Sequence, residues 1–180
     1  MSKQKTILLG VTGSIAAYKS GDIIRRLMDE GLKVSVVMTK EAENFITPLT
    51  LSSLSGQQVY RSMFSDDVAW TMPHIRLAKE ADLILIAPAT ANIIAKIACG
   101  MADDLLTCVV LATKAPILIA PAMNVEMYHN TRVQNNYAQL KKQGVQFIEP
   151  VAGKLACGDV GEGHLASEED ILKAVVKILK

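Results

Sequence analysis

The stretch Ile117-Leu118-Ile119-Ala120-Pro121-Ala122-Met123-Asn124 joins a continuous apolar run to a short polar segment. Such a run predicts a strand that is buried on both faces. Asn124 then follows the carboxyl end of this strand, and its amide can both donate and accept hydrogen bonds. In an open parallel α/β sheet, ligands bind at the carboxyl ends of the strands. The stretch therefore predicts a class of fold and the edge of the sheet where a polar ligand binds.

Similar apolar runs recur along the chain and alternate with segments of helical periodicity. Continuous apolar runs are typical of parallel strands that helices cover on both faces. We therefore expect an α/β fold with a parallel sheet. The predicted strands are residues 7–11, 33–38, 82–87, 116–120 and 145–148, and the predicted helices include 14–30, 131–143 and one that opens at Ser167-Glu168-Glu169-Asp170.

Two stretches, 47–73 and 150–166, lack a strong hydrophobic period. The second one contains four glycines and is interpreted as a mobile loop. Those glycines are Gly153, Gly158, Gly161 and Gly163.

Composition excludes several classes of protein. The 180 residues suffice for one domain with a sizeable core, and 50% of them are hydrophobic. The net charge of +1 and the aromatic content of only 4% do not favour nucleic-acid binding. The most apolar region, 105–121, is interrupted by Lys114 and Pro116 and is not typical of a membrane span, while the run 7–10 is too short for a secretory signal. We therefore expect a cytoplasmic protein without a membrane partner.

The first two predicted strands end in residues that could hold a phosphate. Gly13 and Ser14 stand where a helix begins, and the backbone N–H groups of a helix start bind anions. The alternative, a tight turn with Ser14 as the N-cap, stays open, because the spacing fits neither a dinucleotide motif nor a P-loop. The second strand ends at Thr39 without an acidic residue for a ribose, which favours a mononucleotide such as FMN over a nicotinamide. Thr39 could equally cap the next helix.

The third predicted strand is followed by Thr90, Ala91 and Asn92. Small side chains beside an amide suit a flat heterocycle with an imide edge. An ordinary capped helix start is the alternative for this segment. Asp103-Asp104 is also interpreted as a helix start, and no metal site is assigned to it because further oxygen ligands are not indicated.

His74 and Cys157 are the candidate reacting side chains. His74 follows an irregular stretch and could act as a base or an electrostatic partner, although a lone histidine is more often structural. Cys157 lies among glycines and could donate a proton from a flap that closes over a substrate, or it could be an incidental thiol. Cys99 and Cys108 lie in apolar helical patterns that are typical of core residues.

Taken together, these segments make the chain similar to the flavin-dependent cysteine decarboxylase family over nearly its whole length. The segments that carry the resemblance are Gly13-Ser14-Ile15-Ala16, His74, residues 88–92, Pro121-Ala122-Met123-Asn124-x-x-Met127 and Ala156-Cys157-Gly158-Asp159-x-Gly161-x-Gly163. The resemblance implies one flavoprotein domain, residues 1–180, with a Rossmann-like or flavodoxin-like three-layer sandwich. It also implies homotrimers or dodecamers of trimers, with FMN at a subunit interface.

The resemblance assigns a role to each candidate residue. His74 and Cys157 would be catalytic, and Cys157 would donate a proton from the flap. Substrate would be bound by Asn124, which would hold a carboxylate, and by Met127, Ala156 and Gly158. FMN would be bound by Gly13, Ser14, Ile15, Thr39, Thr90, Ala91, Asn92 and Ala122.

The implied reaction is the FMN-dependent decarboxylation of 4′-phospho-N-pantothenoylcysteine to 4′-phosphopantetheine in coenzyme A biosynthesis. A carboxylate on a saturated carbon leaves reluctantly, and oxidation of the cysteinyl unit by FMN supplies the missing electron sink. The resulting enethiolate would be reduced by the flavin and protonated by Cys157. Because the chain stops at Lys180, we expect the ligase that makes the substrate to be a separate protein.

Three alternatives lie close to this interpretation. Lantibiotic-type peptidyl-cysteine decarboxylases lack the cysteine that corresponds to Cys157, and flavin prenyltransferases lack the Pro-x-Met-Asn segment and the cysteine flap. A non-enzymatic binding module that keeps the flavin fold usually carries long polar extensions, which this chain does not have.

The chain departs from the family pattern at three places. Ile93 replaces a common threonine, Tyr128 stands where tryptophan is common, and His164-Leu165 replaces a frequent Arg-Met.

Overall fold

The computed structural model describes residues 4–64, 72–154 and 160–180, and its centre is a six-stranded parallel sheet. The strands are β1 (Thr6–Val11), β2 (Lys33–Met38), β3 (Val59–Tyr60), β4 (Leu83–Ala89), β5 (Ile117–Pro121) and β6 (Gln146–Phe147). Their order in the sheet is β3-β2-β1-β4-β5-β6, and every pair of neighbours is parallel. The chain leaves β1 toward β2 and later returns beside β1 as β4, so the order reverses between these two strands. Crevices at such a reversal are where α/β sheets bind ligands.

Helices cover both faces of the sheet, which confirms the predicted α/β fold and its three layers. The helices are α1 (Ser20–Asp29), α2 (Pro48–Ser55), α3 (Pro73–Glu80), α4 (Ala91–Ala98), α5 (Leu105–Ala112), α6 (Val125–His129), α7 (Thr131–Lys142) and α8 (Glu168–Leu179). Alternate residues of β1 point to opposite cores: Ile7 and Leu9 pack with α1, α2 and α8, whereas Leu8 packs with α3, α4, α5 and α7. None of these described helices is both long and apolar enough to cross a membrane.

The predicted helix 14–30 consists of two parts. A 3-10 helix, Ile15–Lys19, leads into α1, and Ser20 lies buried at the junction. The hydroxyl of Ser20 donates to the carbonyl of Ala87 on β4 at 3.4 Å. This contact holds the start of α1 against the sheet, beside the carboxyl ends of β1 and β4.

The interpretation of 150–166 as a loop is wrong for the residues that the structure describes. Two antiparallel strands, β7 (Val151–Lys154) and β8 (Val160–His164), form a hairpin there. The sequence does not indicate this pairing, because glycines interrupt the hydrophobic alternation that predicts strands. The other aperiodic stretch, 47–73, contains α2 and β3.

The expectation that both helical cysteines are core residues is wrong for Cys99. This residue follows the last turn of α4 and is exposed, whereas Cys108 on α5 is half-buried. Cys99 ends the apolar pattern of its helix, so the helix surface turns toward solvent at that position.

Candidate functional site

A cleft of about 500 Å³ lies at the carboxyl edge of the sheet, beside the β7–β8 hairpin. Four separate segments line it: 13–19, 90–91, 122–127 and 163–165. Eight of the residues that the sequence assigned to a flavin or a substrate lie in its wall. They are Gly13, Ser14, Ile15, Thr90, Ala91, Ala122, Asn124 and Met127.

Hydrogen bonds fasten the ends of β1 and β4 together at the base of the cleft. The buried Thr12 hydroxyl donates to the carbonyl of Pro88 at 2.7 Å and accepts from the N–H of Thr90 at 3.1 Å. The next strand continues this edge, because the N–H of Ala122 donates to the carbonyl of Ala89 at 3.0 Å. The three strand ends that carry the predicted flavin residues are therefore held in one arrangement.

The turn after β1 combines a cap with a close approach of two segments. Ser14 accepts from the N–H of Ala16 at 3.3 Å, so the predicted N-cap is present. A Cβ atom at Gly13 would lie 2.4 Å from Cβ of Glu41, which leaves room only for glycine. At Gly13 the chain therefore presents backbone groups, and not a side chain, to this cleft.

A second cavity of about 220 Å³ shares Gly13, Thr90 and Ala91 with the cleft and adds Thr39 and Asn92 to the set of neighbouring residues. Thr39 is buried, and its Oγ1 atom has no hydrogen-bond partner among the described residues. Its side chain does not cap the short helix that follows, so the structure does not support that alternative. An unpaired buried hydroxyl is costly, and a polar ligand atom would remove the penalty. This orphaned hydroxyl and the cradle at Gly13 fit a bound mononucleotide.

Asn124 lines the cleft and caps α6. Its Oδ1 atom accepts from the N–H of Glu126 at 2.8 Å, and the side chain is half-buried. This cap directs the amide toward the helix start, and Nδ2 is the atom that could donate to a carboxylate. Thr90 plays the corresponding part at α4, where it accepts from the N–H of Ile93 at 3.3 Å.

The hairpin docks directly on the segment that carries Asn124. The N–H of Met123 donates to the carbonyl of Gly163 at 3.0 Å. Gly163 has φ +144°, and a Cβ atom there would lie 2.2 Å from the carbonyl oxygen of Met123. The predicted site residues Ala156, Cys157 and Gly158 lie outside the described residues, between the two arms of the hairpin in sequence.

His74 is the predicted site residue that the structure does not bring to the others. It lies in the first turn of α3, directly after Pro73, and among the described residues it lines neither the cleft nor the second cavity. Its Nδ1 atom is buried without a hydrogen-bond partner in the described part of the chain. Among the described residues, His74 and Asn124 therefore do not line the same cavity within a single copy of the chain.

Lys96 provides a fixed positive charge beside the second cavity. Its ammonium group lies 2.7 Å from Asp103 and 2.9 Å from Asp104, and the hydrogen bond with Asp103 is the main cause that raises the pKa of Lys96. Asp104 also caps α5 together with Thr107, so the predicted helix start is present. The described residues contain no group of three or more acidic, histidine or cysteine side chains arranged to hold a metal ion.

Sequence reasoning missed several residues that line the cleft, including Tyr18, Lys19 and His164. Tyr18 lies one helical turn beyond Ile15, so the helical period could have placed it on the same face. Lys19 pairs with Glu168 at 3.2 Å, which ties the first helical segment to the start of α8. No local signal identifies His164, because the docking of the hairpin places it there.

Comparisons with known proteins found one matching family and several similar proteins. A family model described as Flavoprotein matches residues 1–180. Over 161 residues, 89% of this chain, it is 53% identical to the Coenzyme A biosynthesis bifunctional protein CoaBC of Vibrio vulnificus strain YJ016. The chain spans 40% of that relative's length. Such relatives are bifunctional, which does not support the expectation of a separate ligase.

Two solved structures are similar over almost their entire chains. One is a cysteine-to-serine mutant of PPC decarboxylase complexed with pantothenoylaminoethenethiol, with a TM-score of 0.86, 32% identity and coverage of 97% of this chain and 98% of the other. The other is the FMN-dependent cysteine decarboxylase SpaF, with a TM-score of 0.84, 32% identity and coverage of 98% of both chains.

Proposed function

This chain belongs to the Flavoprotein family, and from that premise we propose that it is an FMN-dependent phosphopantothenoylcysteine decarboxylase. It would act as a carboxy-lyase that converts 4′-phospho-N-pantothenoylcysteine to 4′-phosphopantetheine in coenzyme A biosynthesis. We include in the proposal one flavoprotein domain over residues 1–180 and a cytoplasmic location. These two points rest on the sequence alone.

One observation carries the proposal. Residues that the resemblance assigns to the flavin and residues that it assigns to the substrate line the same cleft. Ser14 and Thr90 come from the β1 and β4 ends, whereas Asn124 comes from the segment after β5. A small acidic substrate in this cleft would lie between an amide and the proposed flavin site, which is the proximity that a redox-assisted decarboxylation needs.

The chain's own residues would bind FMN, orient the substrate and protonate the enethiolate. Bound FMN would supply the electron sink that departure of CO2 from a saturated carbon requires. Gly13, Ser14 and Ile15 would hold its phosphate end, with Thr39 nearby. Thr90, Ala91, Asn92 and Ala122 would line the isoalloxazine. Asn124 would donate from Nδ2 to the substrate carboxylate, and Met127 would close the apolar side of the cleft.

His74 would complete the site from a neighbouring copy of the chain. Within one copy it lies outside both described cavities, and the resemblance implies a flavin site at a subunit interface. Exposed apolar side chains at the cleft entrance, Ile15 at 55% and Tyr18 at 59%, would be covered by such a neighbour. The proposed assembly is a homotrimer, or a dodecamer built from trimers.

The direct test is an anaerobic assay of the flavin-loaded protein with phosphopantothenoylcysteine, in which CO2 is measured and products are identified by mass. We expect phosphopantetheine. A peptide with a carboxyl-terminal cysteine serves as the competing substrate. Turnover of the peptide alone would make the chain a peptidyl-cysteine decarboxylase, and a yellow protein that releases no CO2 from either would make it a binding module.

Asn124→Asp is expected to weaken substrate capture while the fold is kept. An aspartate can still cap α6, but it replaces the donor Nδ2 with a negative oxygen that repels a carboxylate. We expect KM to rise about a hundredfold, since a charge-assisted hydrogen bond is replaced by a repulsion. Steady-state kinetics measure this change.

Asn130→Asp is the matched control. Asn130 caps α7 in the same manner, with Oδ1 accepting from the N–H of Arg132 at 3.0 Å, but it does not line the cleft among the described residues. Its KM should stay near that of the unsubstituted protein. Equal KM values for the two variants would count against Asn124 as the carboxylate ligand.

Cys157→Ser is expected to release CO2 but to stop before phosphopantetheine. A serine hydroxyl is a much weaker acid than a thiol and would not protonate the enethiolate. Mass spectrometry should therefore detect a product two hydrogens poorer than phosphopantetheine. Normal phosphopantetheine formation by this variant would remove Cys157 from the proton-donor role.

A further inference from the structure

A cluster of aromatic and charged side chains includes Tyr128 of α6 and lies outside the cleft. We call α6 the substrate helix, because Asn124 caps it. The hydroxyls of Tyr128 and Tyr137 both donate to Oε2 of Glu149, at 3.1 Å and 2.7 Å, and Nζ of Lys141 donates to Oε1 at 2.8 Å. The two tyrosine rings meet edge to face at 6.3 Å, and Tyr137 packs on Phe147 at 3.8 Å. The chain has only four tyrosines and three phenylalanines, so this is a notable concentration of its aromatic side chains.

The cluster connects the root of the hairpin to two different helices. Glu149 lies two residues before β7 begins, Tyr128 belongs to α6, and Tyr137 belongs to α7. Tyr128 is four residues beyond Asn124, whose carbonyl accepts the N–H of Tyr128 at 2.9 Å. The bond from Tyr128 therefore links the hairpin root to the same helical turn that presents the substrate amide, whereas the bond from Tyr137 does not.

The second arm of the hairpin contacts α6 and the segment directly before it. The carbonyl of Gly163 accepts from the N–H of Met123 at 3.0 Å. A Cβ atom at Gly161 would lie 2.8 Å from Cγ2 of Val125, so β8 approaches α6 closely. Because Val151 pairs with His164, Gly163 and Glu149 both lie near the root of the hairpin. The root is thus held by a backbone bond on one arm and by the carboxylate of Glu149 on the other.

We propose that the Tyr128–Glu149 hydrogen bond positions the β7–β8 hairpin against the substrate helix, and that substrate capture depends on this link. The inference rests on the proposed function, because it assigns Asn124 and the hairpin to substrate. Tyr128 is a positioning residue here and not a catalytic one, since it does not line the cleft among the described residues.

The protonation states of Tyr128 and Glu149 favour the hydrogen bond between them near neutral pH. Burial, and then the charge of Glu149, raise the pKa of Tyr128 to about 12, so its hydroxyl remains a donor near neutral pH. Partial desolvation of the carboxylate opposes ionisation of Glu149, although its side chain is mostly exposed. Hydrogen bonds from Lys141 and the two tyrosines outweigh this effect and hold the pKa of Glu149 below its usual value. Tyr128 also stands where the family commonly has tryptophan, whose ring carries its N–H at a different place.

The test compares Tyr128→Phe with Tyr137→Phe in the flavin-loaded protein. Each variant removes one hydroxyl that donates to the same carboxylate oxygen and keeps the buried ring. We expect Tyr128→Phe to raise the KM for phosphopantothenoylcysteine about fivefold, the effect of one hydrogen bond to a carboxylate whose side chain is 58% exposed. Its kcat should stay within about twofold of the original value, because the substitution weakens the binding of substrate and of transition state equally. Tyr137→Phe should leave KM unchanged.

A second readout needs no substrate. Hydrogen exchange of the Met123 amide, which donates to Gly163, should become faster in Tyr128→Phe than in Tyr137→Phe. Glu149→Ala should show the KM of Tyr128→Phe, and combining the two substitutions should add nothing further. The retained flavin spectrum reports that each variant is folded.

The outcomes separate this inference from the proposed function. If the unsubstituted protein does not turn over phosphopantothenoylcysteine, the proposed function fails, and the exchange of the Met123 amide alone decides whether Tyr128 anchors the hairpin. If turnover is normal but both phenylalanine variants have equal KM values and equal exchange, the anchor is overturned while the proposed function stands.

Discussion

His74→Asn is expected to lower the rate of CO2 release by about a thousandfold, the usual scale for loss of a general acid or base. Asparagine keeps a hydrogen-bonding group near the position of Nδ1 but cannot exchange a proton near neutral pH. The flavin should remain bound, because α3 lines neither described cavity. Stopped CO2 release with an unchanged flavin spectrum is the expected pair of observations. His129→Asn, at an exposed histidine that ends α6, is the chemical control.

Mixing two variants, at a substrate concentration where each has low activity, tests whether His74 acts on a neighbouring copy. A site that takes His74 from one chain and Asn124 from another can be rebuilt when His74→Asn and Asn124→Asp chains assemble together. With equal amounts and random exchange of subunits, about one quarter of the sites would carry both original residues. Recovery of activity near that fraction is the expected result. Mixtures that stay as inactive as their components after confirmed subunit exchange would place His74 and Asn124 in the same chain's site, or His74 outside the mechanism.

Gly163→Ala is the second substitution with a large expected effect. A side chain at φ +144° is strained, and the new Cβ atom would lie 2.2 Å from the carbonyl oxygen of Met123. Relief of this overlap requires β8 to move away from the segment that carries Asn124, which breaks the bond between Met123 and Gly163. Because a displacement of about 1 Å can cost about a hundredfold in rate, we expect kcat/KM to fall by at least that factor.

Gly153→Ala on the opposite arm of the same hairpin is the matched control. The nearest atoms to a Cβ atom there belong to His164, at 3.7 Å, which is an ordinary contact. Its kcat/KM should remain within about threefold of the original, since a substitution without backbone strain or steric overlap changes little. Both variants should be assayed for flavin content and for melting temperature. Equal kinetics for the two alanine variants would show that the docking of β8 on Met123 does not matter for turnover.

The central strands could be predicted from the sequence because each carries its own burial signal. Residues 33–38 were predicted as a strand with the bounds that β2 has, and 7–11 differs from β1 by one residue. Strand β3 was missed because its two residues are too few to show a period. The hairpin was missed because its glycines remove the hydrophobic alternation of its strands. Its docking depends on contacts with Met123 and Val125, which lie about forty residues earlier in the chain.

The candidate site was predictable where residues follow strand ends and less so elsewhere. Residues after β1, β4 and β5 lie together in one cleft, because parallel strands bring their carboxyl ends to the same edge of the sheet. The location of His74 relative to the cleft could not be inferred, since it depends on how α3 packs on the sheet and on any neighbouring copy. The link between Tyr128 and Glu149 carries no sequence signal, because it joins residues from two elements through a single pair of atoms.

The cleft's four lining segments span residues 13 to 165, so the binding site is made almost entirely of long-range contacts. Closing such large loops costs chain entropy, and this cost slows folding. The site therefore exists only after the whole sheet has assembled. A ligand held there binds the native chain and not the unfolded one. At a free ligand concentration a hundred times its Kd, mass action would add about 2.7 kcal/mol to the free energy of unfolding. Loss of flavin colour would then report global unfolding rather than local fraying.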